Sequence, residues 1–113
     1  MLNYAAIVFA IAAAGGIVLA LHVLREKFAP WVLSALHALL GATGLLLVLL
    51  AILQGQDGSR ATASFAVLLI AALGGFFLAS FHLRNKLPPK GVVVLHALLA
   101  VTGFGILLSA VLG

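Results

Sequence analysis

Apolar residues fill this chain in four long blocks, Leu2 to Leu24, Trp31 to Leu53, Ala61 to Leu83 and Gly91 to Leu112, and the charged residues fall between them. Each block is 22 or 23 residues long, enough for a helix to cross a hydrocarbon core of about 30 Å. In that medium a helix also satisfies every backbone polar group within the segment. The pattern predicts an all-α, four-span transmembrane helix bundle, a single membrane domain over 1–113 in contact with the lipid bilayer and with very little chain outside it.

Composition agrees with the pattern. Hydrophobic residues make up 65% of the chain, charged residues 7%, and mean hydropathy is +1.37, far from the values of a soluble domain. The first block is read as a retained helix and not a cleaved signal peptide, since Met1 to Tyr4 has no basic residue and the apolar run exceeds a usual signal core. The chain has no cysteine, which excludes disulfides, thiolate metal sites and covalent c-type haem attachment.

Charge changes the picture by giving an orientation. Arg25, Glu26 and Lys27 lie in the first connection and Arg84, Lys86 and Lys90 in the third, whereas the second holds Asp57 and Arg60. Five of the six basic residues thus share one side, which the positive-inside rule makes cytoplasmic. Both termini are then expected on the periplasmic side of a bacterial inner membrane. Tyr4 and Trp31 stand at span ends as interfacial aromatics, and Pro30, Pro88 and Pro89 fit first helical positions. Six cations spread over membrane flanks form no basic stripe, so no nucleic-acid partner is expected.

The second half repeats the first at an offset of 59 residues. Gly15-Gly16 meets Gly74-Gly75, Arg25 meets Arg84, Lys27 meets Lys86, and Pro30 meets Pro89. Leu36 to Leu40 matches Leu95 to Leu99, and Thr43-Gly44 matches Thr102-Gly103. The chain therefore reads as two tandem helical hairpins, 1–54 and 61–113, which enter the membrane in the same sense and are related by a pseudo-twofold along the membrane normal.

Candidate chemistry rests on four histidines. Each has a glycine seven residues away, nearly two helical turns: Gly15 with His22, His37 with Gly44, Gly75 with His82, and His96 with Gly103. Counting from the basic loops places all four in one layer of the cytoplasmic leaflet. His37 and His96 are in strict repeat register, whereas His22 aligns with Phe81 and His82 with Val23. The residues beside each histidine on its helix face are small or aliphatic. Small residues commonly mark close helix contact, and an imidazole near the interface can simply bond a carbonyl or headgroup. A histidine above a groove without side chains also suits a flat ligand.

Three chemistries fit. In the first, His37 and His96 are axial ligands of a b-type haem, with His22 and His82 as a second pair or supporting groups. Gly15, Gly44, Gly75 and Gly103 would then line the porphyrin, and Arg25, Arg84, Lys27 and Lys86 would meet its propionates. In this arrangement of four spans, four histidines and their glycines, the chain resembles the four-helix b-type cytochromes of bacterial membranes. The resemblance implies one haem b held between helices, or two if the porphyrins lie side by side or across a dimer. It further implies an electron carrier working with a quinone or a redox partner complex, and not a stand-alone enzyme. Dihaem cytochromes with ligands at two depths are less similar. The second chemistry is copper or zinc held by the four imidazoles. The third is no cofactor, the chain being an accessory or assembly subunit of a larger membrane complex, or a homodimer. No proton-coupled drug exporter is expected, because the only acids, Glu26 and Asp57, lie in loops.

Overall fold

A computed structural model describes residues 1–55 and 58–113. It contains four helices, α1 Leu2–Leu24, α2 Trp31–Leu53, α3 Gly58–Leu83 and α4 Lys90–Leu112, and no strand among the described residues. All four are long and apolar enough to cross a membrane. Asp57 lies outside the described residues. The bundle is 42 Å long, close to the roughly 40–45 Å of a bilayer with its headgroup regions. Outward-facing Val32, Leu39, Ile70 and Val101 are exposed, a surface compatible with lipid contact.

Packing is most extensive within the hairpins, α1 on α2 and α3 on α4. Helix α1 also borders α4, and α2 borders α3, so α1 and α3 stand on one diagonal and α2 and α4 on the other. At the end holding the termini the interior is closed. Leu2, Ala5, Phe9, Val48, Ala51, Ala61, Leu68 and Leu107 form the buried cluster there. Two glycines let large side chains seat against a neighbouring backbone. A Cβ on Gly44 would lie 2.6 Å from the Phe9 ring, and one on Gly103 2.6 Å from Leu68 Cγ. These are repeat-equivalent contacts, since 9 and 68, like 44 and 103, differ by 59.

The basic connections are duplicated turns. Helix α1 ends in a Schellman motif, with Lys27 N–H donating to the His22 carbonyl at 2.8 Å and Glu26 N–H to Val23 at 2.9 Å. Lys86 donates to Phe81 at 2.8 Å and Asn85 to His82 at 3.1 Å in the same way. The motif needs a left-handed residue, and Glu26 and Asn85 supply it at φ 59° and 55°.

Several helix starts differ from the sequence reading, and α4 begins at Lys90 and not at Gly91. Pro30 and Pro89 are not first helical residues but N-caps, extended at ψ 136° and 130°, and their carbonyls accept the first helical bonds. Pro88 precedes the cap in the connection. Helix α3 starts at Gly58 and not at Ala61, because its polar first turn is held from outside the apolar span. Thr62 donates to the Gly58 carbonyl at 3.0 Å, and Arg60 reaches the Ser109 carbonyl at the end of α4 at 2.8 Å.

Candidate functional site

Toward the basic loops the residues facing the bundle axis become small, and alanine and glycine cannot fill the space between the two hairpins. What remains is a cavity of about 400 Å³, within the usual range for small-molecule sites. Its walls are Ala12, Gly16, Ala20 and Ala38 of the first hairpin and Ala71, Gly75, Ala79 and Ala97 of the second, with Lys27 and Lys86 at the mouth. Every residue lining it has its partner 59 positions away in the lining as well. The cavity therefore straddles the pseudo-twofold axis as a slot between the hairpins. Exposed Ala38, Ala42, Phe76 and Val101 also border it, so its edges open toward the lipid.

His37 and His96 enter this slot from opposite sides. The His37 Nδ1–H donates to the Ala12 carbonyl of α1 at 2.8 Å, and the His96 Nδ1–H to the Ala71 carbonyl of α3 at 2.7 Å. A carbonyl only accepts, so the proton of each neutral ring is fixed on Nδ1 and the Nε2 lone pair is left for another partner. No hydrogen-bond partner of either Nε2 is found among the described residues. The ring centroids are 6.3 Å apart and the ring planes stand at 83°.

The glycine beneath each imidazole belongs to the facing helix of its hairpin. A Cβ on Gly16 would lie 2.8 Å from His37 Cε1, and one on Gly75 3.1 Å from His96 Cε1. Sequence reasoning paired each histidine with a glycine on its own helix, but helical side chains project outward and toward their own N-terminus, so His37 leans away from Gly44. The signal was present in the repeat. The offset of 59 pairs Gly16 with Gly75, whereas Gly15 and Gly75 are not equivalent.

The other residues singled out lie as follows. Gly75 lines the cavity, Gly15 faces Leu33, and Gly44 and Gly103 lie under Phe9 and Leu68. His22 is not in the cavity lining; its Nδ1 bonds the Val18 carbonyl of its own helix at 2.8 Å, beside a shallow notch shared with Arg25 and Lys27. His82 does line the cavity, near its mouth. Its ring stacks on Trp31 at 3.9 Å and 11°, and its Nδ1 is hydrogen-bonded to Ser34 Oγ at 3.2 Å. Trp31 and Ser34 were not singled out by sequence as site residues, and their counterparts at 59 residues, Lys90 and Val93, offer no similar stack. Arg84 folds back, bonding the Ser80 carbonyl and lying 4.8 Å from the Phe81 ring centroid, and neither arginine lines the cavity. Among the described residues no three of His, Cys, Asp or Glu come together as a metal-ligand group.

Comparison with protein-family models, curated proteins and solved structures finds no match to this chain.

Proposed function

We propose that this chain is a small integral membrane electron carrier that binds one b-type haem in the slot between its hairpins, where His37 and His96 would hold the iron. The observation that carries this reading is the pair of imidazoles on the pseudo-twofold axis, one from each hairpin, 6.3 Å apart. Two imidazoles ligating one ion from opposite sides at about 2 Å have centroids roughly 6 Å apart once the rings themselves are counted. Each ring already donates its other N–H to a carbonyl, the arrangement that orients a ligating histidine and raises its basicity.

The remaining parts suit the same group. A slot between two apolar walls matches a flat macrocycle, and Lys27 and Lys86, one from each turn, stand where two carboxylates on its edge would emerge. Two imidazoles are too few protein ligands for a structural copper or zinc site. When bound, the haem would supply one-electron redox chemistry, with its potential tuned by burial and by the imidazole hydrogen bonds. The chain's own residues would hold it, fix its height in the bilayer and restrict water at the deep end. The lipid-facing edges of the slot favour exchange with a quinone in the membrane or with a partner complex. The basic loops would face the cytoplasm and both termini the periplasm of a bacterial inner membrane.

The deciding measurement is the visible spectrum of the detergent-purified protein before and after dithionite. A reduced low-spin spectrum with resolved α and β bands, at one haem per chain, is expected. A colourless protein that also fails to take up added haemin would overturn the proposal.

A further inference from the structure

The duplication that builds the slot creates a problem of orientation, and the slot's floor answers it. Haem b carries its two propionates on one edge. At the opposite edge a vinyl group on one half faces a methyl group on the other. A half-turn about the axis through the iron and between the propionates leaves the iron and the carboxylates in place but exchanges vinyl with methyl. With the propionates at Lys27 and Lys86, that half-turn coincides with the pseudo-twofold relating the hairpins. Walls obeying the twofold would bind both orientations equally.

Several walls do obey it. Ala12 and Ala71, Gly16 and Gly75, Ala20 and Ala79, and the histidines themselves are identical pairs. The floor does not. Phe9 lies one turn deeper than Ala12, whose carbonyl holds His37, and its equivalent is Leu68; Leu45 of α2 has Phe104 of α4 as its equivalent. The adjoining helices α1 and α4 thus carry the two phenylalanines, and the adjoining α2 and α3 carry the two leucines. Phe9 and Leu68 are nearly buried and are backed by the close approaches at Gly44 and Gly103, so neither half of the floor yields freely. The Ser34–His82 pair also breaks the symmetry, but it stands at the mouth, beside the edge that both orientations share.

We infer that Phe9, Leu45, Leu68 and Phe104 are specificity-determining residues that select one haem orientation, with the vinyl of the edge opposite the propionates over the leucine half and the methyl of that edge over the phenylalanine half. The inference rests on the haem reading above. One carbon more or less against an apolar wall is commonly worth about tenfold in discrimination. A floor in which Leu45 and Phe104 are only partly buried is expected to give at least about threefold.

The test is proton NMR of the ferric holoprotein in micelles, where each orientation gives its own set of hyperfine-shifted ring-methyl signals. The expected result is two sets at a ratio of at least about threefold, with NOEs to leucine from the vinyl of the edge opposite the propionates in the major one. Exchanging the floor through F9L, L68F, L45F and F104L together should reverse the ratio, and F9L with F104L should bring it toward unity. Equal sets in the wild-type protein, which requires no variant to fold, would overturn the inference while leaving the haem reading intact. A preference that persists unchanged in the exchanged floor would do the same. Absence of a Soret band after haemin addition would instead sink the haem reading, and this inference with it.

Discussion

His37 and His96 bring their ring centroids within 6.3 Å of each other, with planes at 83°, although they sit on helices α2 and α4, which stand on a diagonal of the bundle. Each is aimed by a carbonyl of its own hairpin, Ala12 for one and Ala71 for the other. Replacing either histidine by alanine is expected to abolish the low-spin reduced spectrum, and replacing both to remove bound haem. Pyridine haemochrome content of the purified variants checks this, and full haem in the double variant would refute the ligand assignment.

Gly16 is the point at which that aim is most exposed to mutation. A methyl group there meets His37 Cε1 at 2.8 Å and must push the ring off the Ala12 carbonyl. Gly16→Ala should weaken haem binding by roughly 10–100-fold, the usual effect of losing such an orienting partner. Gly105→Ala, where nothing lies within 4 Å and which is outside the cavity lining, should leave haem affinity unchanged. Haemin titrations of the two variants compare them directly, with helical content as the control for folding.

Lys27 and Lys86 occupy equivalent places at the mouth, while the arginines of the same turns lie elsewhere. Lys27→Ala and Lys86→Ala should each lower haemin affinity by several-fold, as expected for loss of one partly solvated charge pair of about 1 kcal/mol. Neither should affect the dimethyl ester of haemin, which lacks the carboxylates. An equal effect on acid and ester would remove both lysines from the site.

Close approach at the closed end sets a stability prediction. At Gly103 an added Cβ would meet not only Leu68 Cγ at 2.6 Å but also the Leu68 backbone nitrogen at 3.2 Å, so the helix itself must shift. Gly103→Ala should destabilise the bundle by about 1–3 kcal/mol, the range for overpacking. Gly44→Ala, whose three nearest opposing atoms all belong to the Phe9 ring, should cost less. Reversible unfolding in mixed micelles gives the comparison.

The turn after α1 gives another. Glu26 holds a left-handed conformation at φ 59°, and its ion pair with Lys90 at 3.3 Å is exposed and of little energetic weight. Glu26→Asn should be neutral or slightly stabilising, because asparagine tolerates that region as it does at Asn85. Glu26→Val should cost about 1–2 kcal/mol, since a β-branched residue fits there worst. The same unfolding experiment ranks the two.

The sequence by itself determined the four helices, their near-complete length and their hairpin connections. Apolar runs of spanning length and clustered loop charges are local properties that need no knowledge of contacts. It also contained the repeat, and with it the equivalence of His37 with His96. Tertiary structure alone decided which groups share a space. His82 turned into the cavity and His22 out of it, although both lie at the loop end of a first-of-hairpin helix. The glycines under the imidazoles proved to be Gly16 and Gly75, because a ring reaches across to a neighbouring helix more readily than along its own. Whether the small residues would close a seam or leave a slot depended on the phenylalanines and leucines that hold the far end apart. That is a balance of side-chain volumes between helices, and no single segment carries it.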